Sequence, residues 1–498
     1  MFASEIKALF SLPEVRRRMR SRALAEICTY WSALAPNTAF EGVLSLPPGH
    51  IMTVAGGVKC ISRYWDWTFP KTVPTRRDEA NCARELRETL IDAVKLQLRA
   101  DVPVGAYLSG GLDSSIITSI IHNFTDTPLR TFSVTFEDAE FDESAYQREL
   151  VAYLGTDHTS LRCARADIAG AFPRTVFHAE TPIVRTAPAP LMLLSGHVRA
   201  CGYKVVLTGE GADEVFGGYD IFKEAKIRRF MAREPASTIR PRILERLYPY
   251  LKHSPAAGRA FTEAFFKEGM EHAGEPYFAH LPRWRTTQRI GQFFSADLRA
   301  AIGPWDPYVA ITPTLPPDIA DWIPMGRDQY VEAHTLMSGY LLSSQGDRVA
   351  MANSVEGRFP FLDHRLIEFA NRLPPQLKMH GLTEKYLLKK AMAGLLPESV
   401  LARTKQPYRA PDSESFFHAG RPVEYVAELF SPSSIAAAGY FDPVATRKLF
   451  EKCRAGRAIG FADNMAFVSI LSTMLLHDQF ILGHGLDAAA EQPGLTVA

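Results

Sequence analysis

The segment Leu108-Ser-Gly-Gly-Leu-Asp-Ser-Ser115 holds the residue types that an anion needs. Ser109, Gly110 and Gly111 have little side chain to block an approaching phosphate, and the start of a following helix aims unpaired backbone N–H groups at one point. Ser114 and Ser115 add hydroxyl donors. Together they make a cradle for an anion the size of pyrophosphate. Asp113 is out of place there unless a Mg²⁺ ion stands between carboxylate and phosphate. A Gly-rich helix start capped by aspartate would use the same residues. A Walker A loop needs a lysine after its last glycine, and none follows here. A nucleophile elbow needs glycine where Tyr107 stands.

A second loop, Leu207-Thr-Gly-Glu-Gly-Ala-Asp-Glu-Val-Phe-Gly-Gly-Tyr219, has the same character. Asp213 can share a Mg²⁺ with Asp113, because two carboxylates plus phosphate oxygens suit that ion. Glu210 is then free for proton chemistry, since an amine attacking an activated acyl group must lose protons. A dinucleotide fingerprint would need a third glycine where Glu214 stands.

Both loops must be held by strands. Val104–Leu108 and Tyr203–Leu207 are short apolar runs ending just before them, with Arg130–Phe136 and Thr159–Arg162 as further strands. Helical patterns cover Glu79–Leu98, Ser114–Phe124, Glu143–Leu154 and the stretch from Pro188 to about Cys201. Alternating strands and helices predict an α/β fold with a parallel sheet covered on both faces. Ligands of such sheets bind beyond the carboxyl ends of the strands, so both loops can face one crevice. After Gly218 the pattern becomes mainly helical to about Leu482, with a core helix over Phe467–Leu476 and a loose tail from Asp487. Residues 1–68 read as a short compact unit, 69–78 as a Pro- and charge-rich connector, and 79–486 as the main domain. Its α/β core covers about 79–225 and its helical part about 226–486, and 487–498 form the tail.

The 498 residues carry a net charge of +1, with 46% hydrophobic and 22% charged residues. That balance favours small-molecule substrates over nucleic acid or a membrane surface. The six cysteines form no CxxC pair, which reads as reduced thiols in a cytoplasmic protein. The basic cluster from Arg16 to Arg22 follows an apolar stretch rather than preceding it, the wrong order for a secretory signal, and is expected on a solvated helix face.

The two loops resemble those of the glutamine-hydrolysing asparagine synthetase family, whose pyrophosphate-binding loop is SGGLDS. The resemblance extends through Val102–Leu108, Thr131–Phe136, Asp347–Asp363, Thr383–Lys389 and Asn464–Phe480. It implies a PP-loop ligase that uses ATP and Mg²⁺ to convert aspartate to asparagine through a β-aspartyl-adenylate, releasing AMP and pyrophosphate. Leu108 and Val134 would flank adenine and ribose, Thr208 and Gly209 would line the nucleotide, and Glu210 would handle the attacking ammonia. Lys385 matches the family lysine that stabilises charge during adenylation; without the resemblance it reads as a helix-surface lysine. Arg348, Glu356 and Arg358 are candidates for substrate contact or for a structural ion-pair network. Relatives that adenylate other carboxylates, such as β-lactam-forming, peptide-cyclising or natural-product amidotransferase types, share the PP-loop. A homodimer stays open.

One departure stands out. Family members carry an N-terminal glutaminase domain whose first residue after Met removal is a nucleophilic cysteine. Here Met1-Phe2-Ala-Ser-Glu-Ile-Lys-Ala-Leu9 resembles a stretch deep inside that domain, so residues 1–68 are expected to be its under-packed tail. A start placed at an internal Met, a truncated gene, or a chain that takes ammonia directly would each give this pattern. Cys28 lies in the apolar-periodic stretch Leu24–Trp31 and is expected to be packed, not nucleophilic. The sequence as given is therefore expected to form amide from ammonium and not from glutamine.

Overall fold

The computed structural model describes residues 1–74, 78–248, 259–458 and 460–486. The expected tail therefore lies outside the described residues, as does part of the connector.

The core is a five-stranded sheet of β3 (Val104–Tyr107), β4 (Arg130–Phe136), β5 (Asp157–Cys163), β6 (Val205–Leu207) and β7 (Glu356–Arg358), in the order β5-β4-β3-β6-β7. All neighbouring pairs are parallel. Val104, Ala106, Val205, Val206 and Leu207 are buried, as strands covered on both faces require. Helices α3 (Glu79–Gln97), α4 (Leu112–Phe124), α5 (Ser144–Leu154), α6 (Arg165–Ala179) and α7 (Pro188–Ala200) flank this sheet. Asp78 caps α3 by accepting from the Ala80 N–H at 3.1 Å. The chain leaves β3 through α4 to β4 on one side, whereas β6 pairs with the other side of β3. The order therefore reverses between β3 and β6, where a crevice opens at the carboxyl ends of the strands.

The α/β class stands and the four expected strands are present, β5 longer and β6 shorter than read. α6 and β7 were not anticipated. β7 is only three residues long and two of them are charged, so it gives no apolar run. The stretch Ala333–Asp347 is a π-helix, wider than an α-helix and not distinguishable from one by pattern.

Residues 1–68 pack against the rest of the chain. α1 (Ile6–Leu9) and α2 (Ser21–Tyr30) send Phe10, Leu24 and Ile27 into one apolar cluster with Phe467, Leu471 and Phe480. Tyr30, Leu34 and Trp67 join a second cluster with Leu86, Leu90 and Ile117. The expected under-packing shows in the hairpin of β1 (His50–Ala55) and β2 (Val58–Arg63), where Ile51, Val54, Val58 and Ile61 are exposed, and in the exposed Phe2, Leu44 and Leu46. The basic cluster corrects the helix-face expectation. Arg16, Arg17 and Arg18 are exposed on non-helical chain, and α2 begins only at Ser21. Cys28 is packed as expected, and burial pushes its thiol up to about 12. Among the described residues no helix is long and apolar enough to cross a membrane.

Glu180 fixes the amino-terminal segment to the core. It stands in the left-handed region at the end of α6 (φ 56°). Its buried carboxylate accepts from the N–H groups of Ile6 and Lys7, both at 2.8 Å, and pairs with Lys7 Nζ at 3.1 Å and Arg348 Nη1 at 2.7 Å. Glu180→Ala strands two N–H groups and the Arg348 guanidinium, while Lys7 keeps Glu5 at 2.9 Å, and should cost about 3–5 kcal/mol. A urea midpoint equal to that of the unaltered protein would contradict this assignment.

Candidate functional site

The loop after β3 turns at Gly110 (φ 77°), where a Cβ would lie 2.9 Å from the Gln147 N and the Tyr146 Cβ. Only glycine fits so close an approach at a positive φ. The Ser109 N–H donates to Ser114 Oγ (3.1 Å), and the Gly111 N–H donates to Ser109 Oγ (3.2 Å). No side chain caps α4, so its first-turn N–H groups remain for a ligand. The loop after β6 lies against this helix start, since a Cβ on Gly209 would come within 2.7 Å of the Ser114 N. Sequence-distant backbones therefore meet at the reversal of strand order.

A cavity of about 570 Å³ opens there. Its walls include Leu108, Ser109, Asp113, Ser114, Val134, Thr208, Gly209, Glu210 and Asp213, so most of the expected site residues converge. Ser115 does not take part as a cradle donor: it is buried, and its hydroxyl donates to the Gly111 carbonyl of its own helix at 2.7 Å. Gly110 and Gly111 shape the turn without lining the cavity.

Asp113 and Asp213 are both buried, and two lysines bind them together. Lys385 Nζ lies 2.6 Å from Asp113 Oδ1 and 2.6 Å from Asp213 Oδ1. Lys405 Nζ lies 2.6 Å from Asp213 Oδ2 and 3.5 Å from Asp113 Oδ2. Lys385 is 2% exposed and lies behind the carboxylates, so its reading as a surface lysine is corrected. Lys405 lines the cavity. Gly218 makes room for the rear pair, because a Cβ there would stand 2.0 Å from Asp213 Oδ1 and 2.2 Å from Lys385 Cε.

The charges set the protonation of their neighbours. Burial opposes ionisation of Asp213, but Lys385 and Lys405 outweigh it and hold the carboxyl below its usual range. Burial likewise opposes the Lys405 charge and is outweighed by Asp213 and Asp113, which keep it protonated. Glu210 is pushed up to about 7, mainly by burial, with Lys405 opposing and Asp213 and Asp113 adding to the shift. A carboxyl near 7 is poised to exchange protons at neutral pH.

Among the described residues no group of three His, Cys, Asp or Glu side chains converges as a metal cage. Two carboxylates with no soft donor nevertheless fit Mg²⁺, which binds through one or two carboxylates and completes its shell with phosphate oxygens and water.

Arg348, Glu356 and Arg358 do not reach the cavity. Arg348 is the Glu180 partner. Arg358 donates to the carbonyls of Gln97 (2.6 Å) and Arg99 (2.8 Å), the negative end of α3, and pairs with Glu356 at 2.7 Å. Only its backbone supports the site, its carbonyl accepting from the Thr208 N–H at 2.9 Å. These residues make structural ion pairs.

The sequence reading missed the strap from Arg403 to Asp412, which has no regular secondary structure. Arg403 Nη1 donates to the Gly110 carbonyl at 2.9 Å, its guanidinium stacks 3.9 Å over the Tyr146 ring, and it pairs with Glu143. Lys405, Tyr408, Arg409 and Asp412 line the cavity. The one signal available was the basic run Arg403-Thr-Lys-Gln-Pro-Tyr-Arg409 around a proline, which by itself reads as a solvated loop.

Fold and site together define an α/β protein with a phosphate-type cradle at the switch point of a parallel sheet. The chain belongs to the asparagine synthase family, whose model matches residues 85–478. A glutamine amidotransferase domain model matches residues 1–65. Similar proteins include amidase chyE of Penicillium rubens, 29% identical over 83% of this chain and 65% of its own length. Glutamine-hydrolyzing asparagine synthetase 1 of Bacillus subtilis is 30% identical over 82% of this chain and 62% of its own length. Asparagine synthetase 3 of the same organism is 28% identical, with coverages of 82% and 61%. The chain thus spans less than two thirds of the length of these relatives.

The two lysines should differ in effect. Lys385→Met leaves two buried carboxylates with one counter-ion and should lower the unfolding free energy by about 3–5 kcal/mol. Lys405→Met should cost less stability but weaken pyrophosphate binding about tenfold or more, as loss of a cavity-facing charge-assisted contact does. Calorimetric titration and urea unfolding of both variants check this. The reverse pattern would contradict the rear and front placement.

Proposed function

We propose that this chain is an ATP-dependent amide-forming ligase that activates a carboxylate as an acyl-adenylate and passes it to an amine. Aspartate is the favoured acyl substrate, and ammonia, free or glutamine-derived, is the favoured nitrogen source. The observation that carries the reading is the convergence of Asp113, Asp213, Lys385 and Lys405 at the mouth of two glycine-rich loops.

In this reading Leu108 and Val134 flank adenine and ribose, and Thr208 and Gly209 line the nucleotide. Ser109, Ser114 and the α4 N-terminus receive the phosphates. Asp113 and Asp213 would hold Mg²⁺, which when bound neutralises phosphate charge. Lys405 faces the same charge from the cavity wall, and Lys385 keeps the two carboxylates together behind it. The substrate carboxylate oxygen attacks the α-phosphorus, and pyrophosphate leaves with the electrons of the broken P–O bond. The amine then attacks the acyl carbon, AMP leaves, and Glu210 accepts a proton from the nitrogen. Residues 79–486 form the ligase domain, and 1–68 derive from a glutaminase domain whose helices now pack on the ligase core. The lack of any CxxC pair among the six cysteines agrees with a cytoplasmic setting. Similarity to amidase chyE keeps a different acyl substrate as the second reading.

ATP–pyrophosphate exchange across a panel of carboxylic acids tests the proposal; absence of exchange with every acid in a folded sample would remove it. Asp113→Asn should abolish exchange. Glu210→Gln should retain exchange yet transfer the acyl group poorly, by about 10²–10⁴-fold. Equal loss of both half-reactions would make Glu210 structural. Because Glu210 serves as base only when ionised, transfer at constant free ammonia should rise with pH through about 7. Glu210→Gln should lose that limb.

A further inference from the structure

Outside the cavity, one buried lysine stands where no acid meets it. Lys378 ends the short helix Pro375–Lys378 and is 2% exposed. Among the described residues no carboxylate pairs with it, and burial alone pushes its ammonium down to about 7. Its Nζ lies 5.4 Å from the centre of the Phe69 ring. That ring fills the space left by Gly326, where a Cβ would come within 2.7 Å of Phe69 Cγ. A buried ammonium without a counter-ion is unfavourable, so its presence needs a reason.

Lys378 Nζ donates to Gln329 Oε1 at 2.8 Å. Gln329 is buried, and its Nε2 donates to the carbonyls of Glu214 (2.5 Å) and Val215 (2.9 Å). Those carbonyls belong to the helix Ala212–Phe216, which is five residues long and carries Asp213. So short a helix is not stable by its own hydrogen bonds, and its last carbonyls lack partners within it. Gln329 satisfies two of them. The helix that bears Gln329, Pro324–Glu332, is itself anchored. Asp328 accepts from the Arg229 guanidinium at 2.5 and 2.7 Å, and Glu332 pairs with Arg283 and with His280.

A glutamine amide can stand either way round, with its oxygen or its NH₂ toward a given neighbour. With the oxygen toward Glu214 and Val215, three acceptors would meet and the grip on the helix would be lost. An ammonium only donates, so Lys378 keeps the amide oxygen on its own side and the NH₂ on the two carbonyls. We infer that Lys378 is a positioning residue for the metal end of the site: through Gln329 it fixes the helix that carries Asp213. The inference rests on the ligase reading above, in which Asp213 holds Mg²⁺ for pyrophosphate. Neither Lys378 nor Gln329 lines the cavity, so both act through the helix and not by contact with a ligand.

The test is calorimetric titration of the full chain with magnesium pyrophosphate and, separately, with AMP. Lys378→Met keeps the apolar stem and removes the donor. It should weaken magnesium pyrophosphate binding about tenfold, as loss of a group that orients a metal ligand does, and leave AMP binding within about twofold. Gln329→Leu should do the same. Adding Lys378→Met to Gln329→Leu should weaken binding no further, because the lysine acts through the amide. Equal losses for AMP and magnesium pyrophosphate would mark a merely structural residue and overturn the inference. A further loss in the double variant, or unchanged magnesium pyrophosphate binding in Lys378→Met, would also overturn it while leaving the ligase reading intact. If the unaltered protein bound no magnesium pyrophosphate, the reading and the inference would fall together.

Discussion

Two buried carboxylates have to be held at one point, and the rest of the site depends on that. Asp113 and Asp213 come from loops that follow neighbouring strands, so the sheet delivers them but does not make them compatible. Two like charges about 4 Å apart repel by about 4 kcal/mol at an effective dielectric constant of 20. Lys385 removes that repulsion from behind, and it reaches both carboxylates because Gly218 has no side chain in the way. Lys405 completes the cluster from the cavity side. The four charges balance within the protein, and the front lysine is available to an incoming polyanion without emptying the carboxylates of their rear counter-ion.

The same balance sorts the surrounding acids. Glu214, next to Asp213, is pushed up to about 8 by burial and then by the Asp213 charge, and the Tyr219 hydroxyl donates to it at 3.0 Å. Glu332 is equally buried yet is held down to about 2, because Arg283 and His280 outweigh the burial. Glu210 lies between these extremes, near neutrality. Three glutamates in one region thus have three protonation habits, and of these Glu210 is the one suited to trade a proton at neutral pH.

Much of this was legible in the sequence, for local reasons. Runs such as Val104–Leu108 and Tyr203–Leu207 end in glycine-rich loops, and alternation with helices is enough to imply a parallel sheet with a crevice at its carboxyl edge. Asp113, Asp213 and Glu210 could be picked out because acids are unusual in a phosphate-type cradle. What could not be read depends on tertiary contacts. Ser115 has the right chemistry, but its helix position turns its hydroxyl back to the Gly111 carbonyl. Arg358 looks like a substrate ligand until β7 lies beside the end of α3, whose carbonyls claim it. Lys405 and Tyr408 lie in a strap with no periodicity at all, placed by Arg403 gripping the Gly110 carbonyl. The amino-terminal helices looked like a separate unit because local patterning cannot show that their apolar faces complete the core beside Phe467 and Phe480.

The central claim is that the carboxylate is activated by bonding to the α-phosphorus. Aspartate labelled with ¹⁸O in its side-chain carboxylate, incubated with the protein, MgATP and ammonium, tests this directly by mass spectrometry of the nucleotide products. Transfer of one ¹⁸O into AMP is the result the account predicts. Label appearing in inorganic phosphate alongside ADP would place the attack on the γ-phosphorus and contradict it.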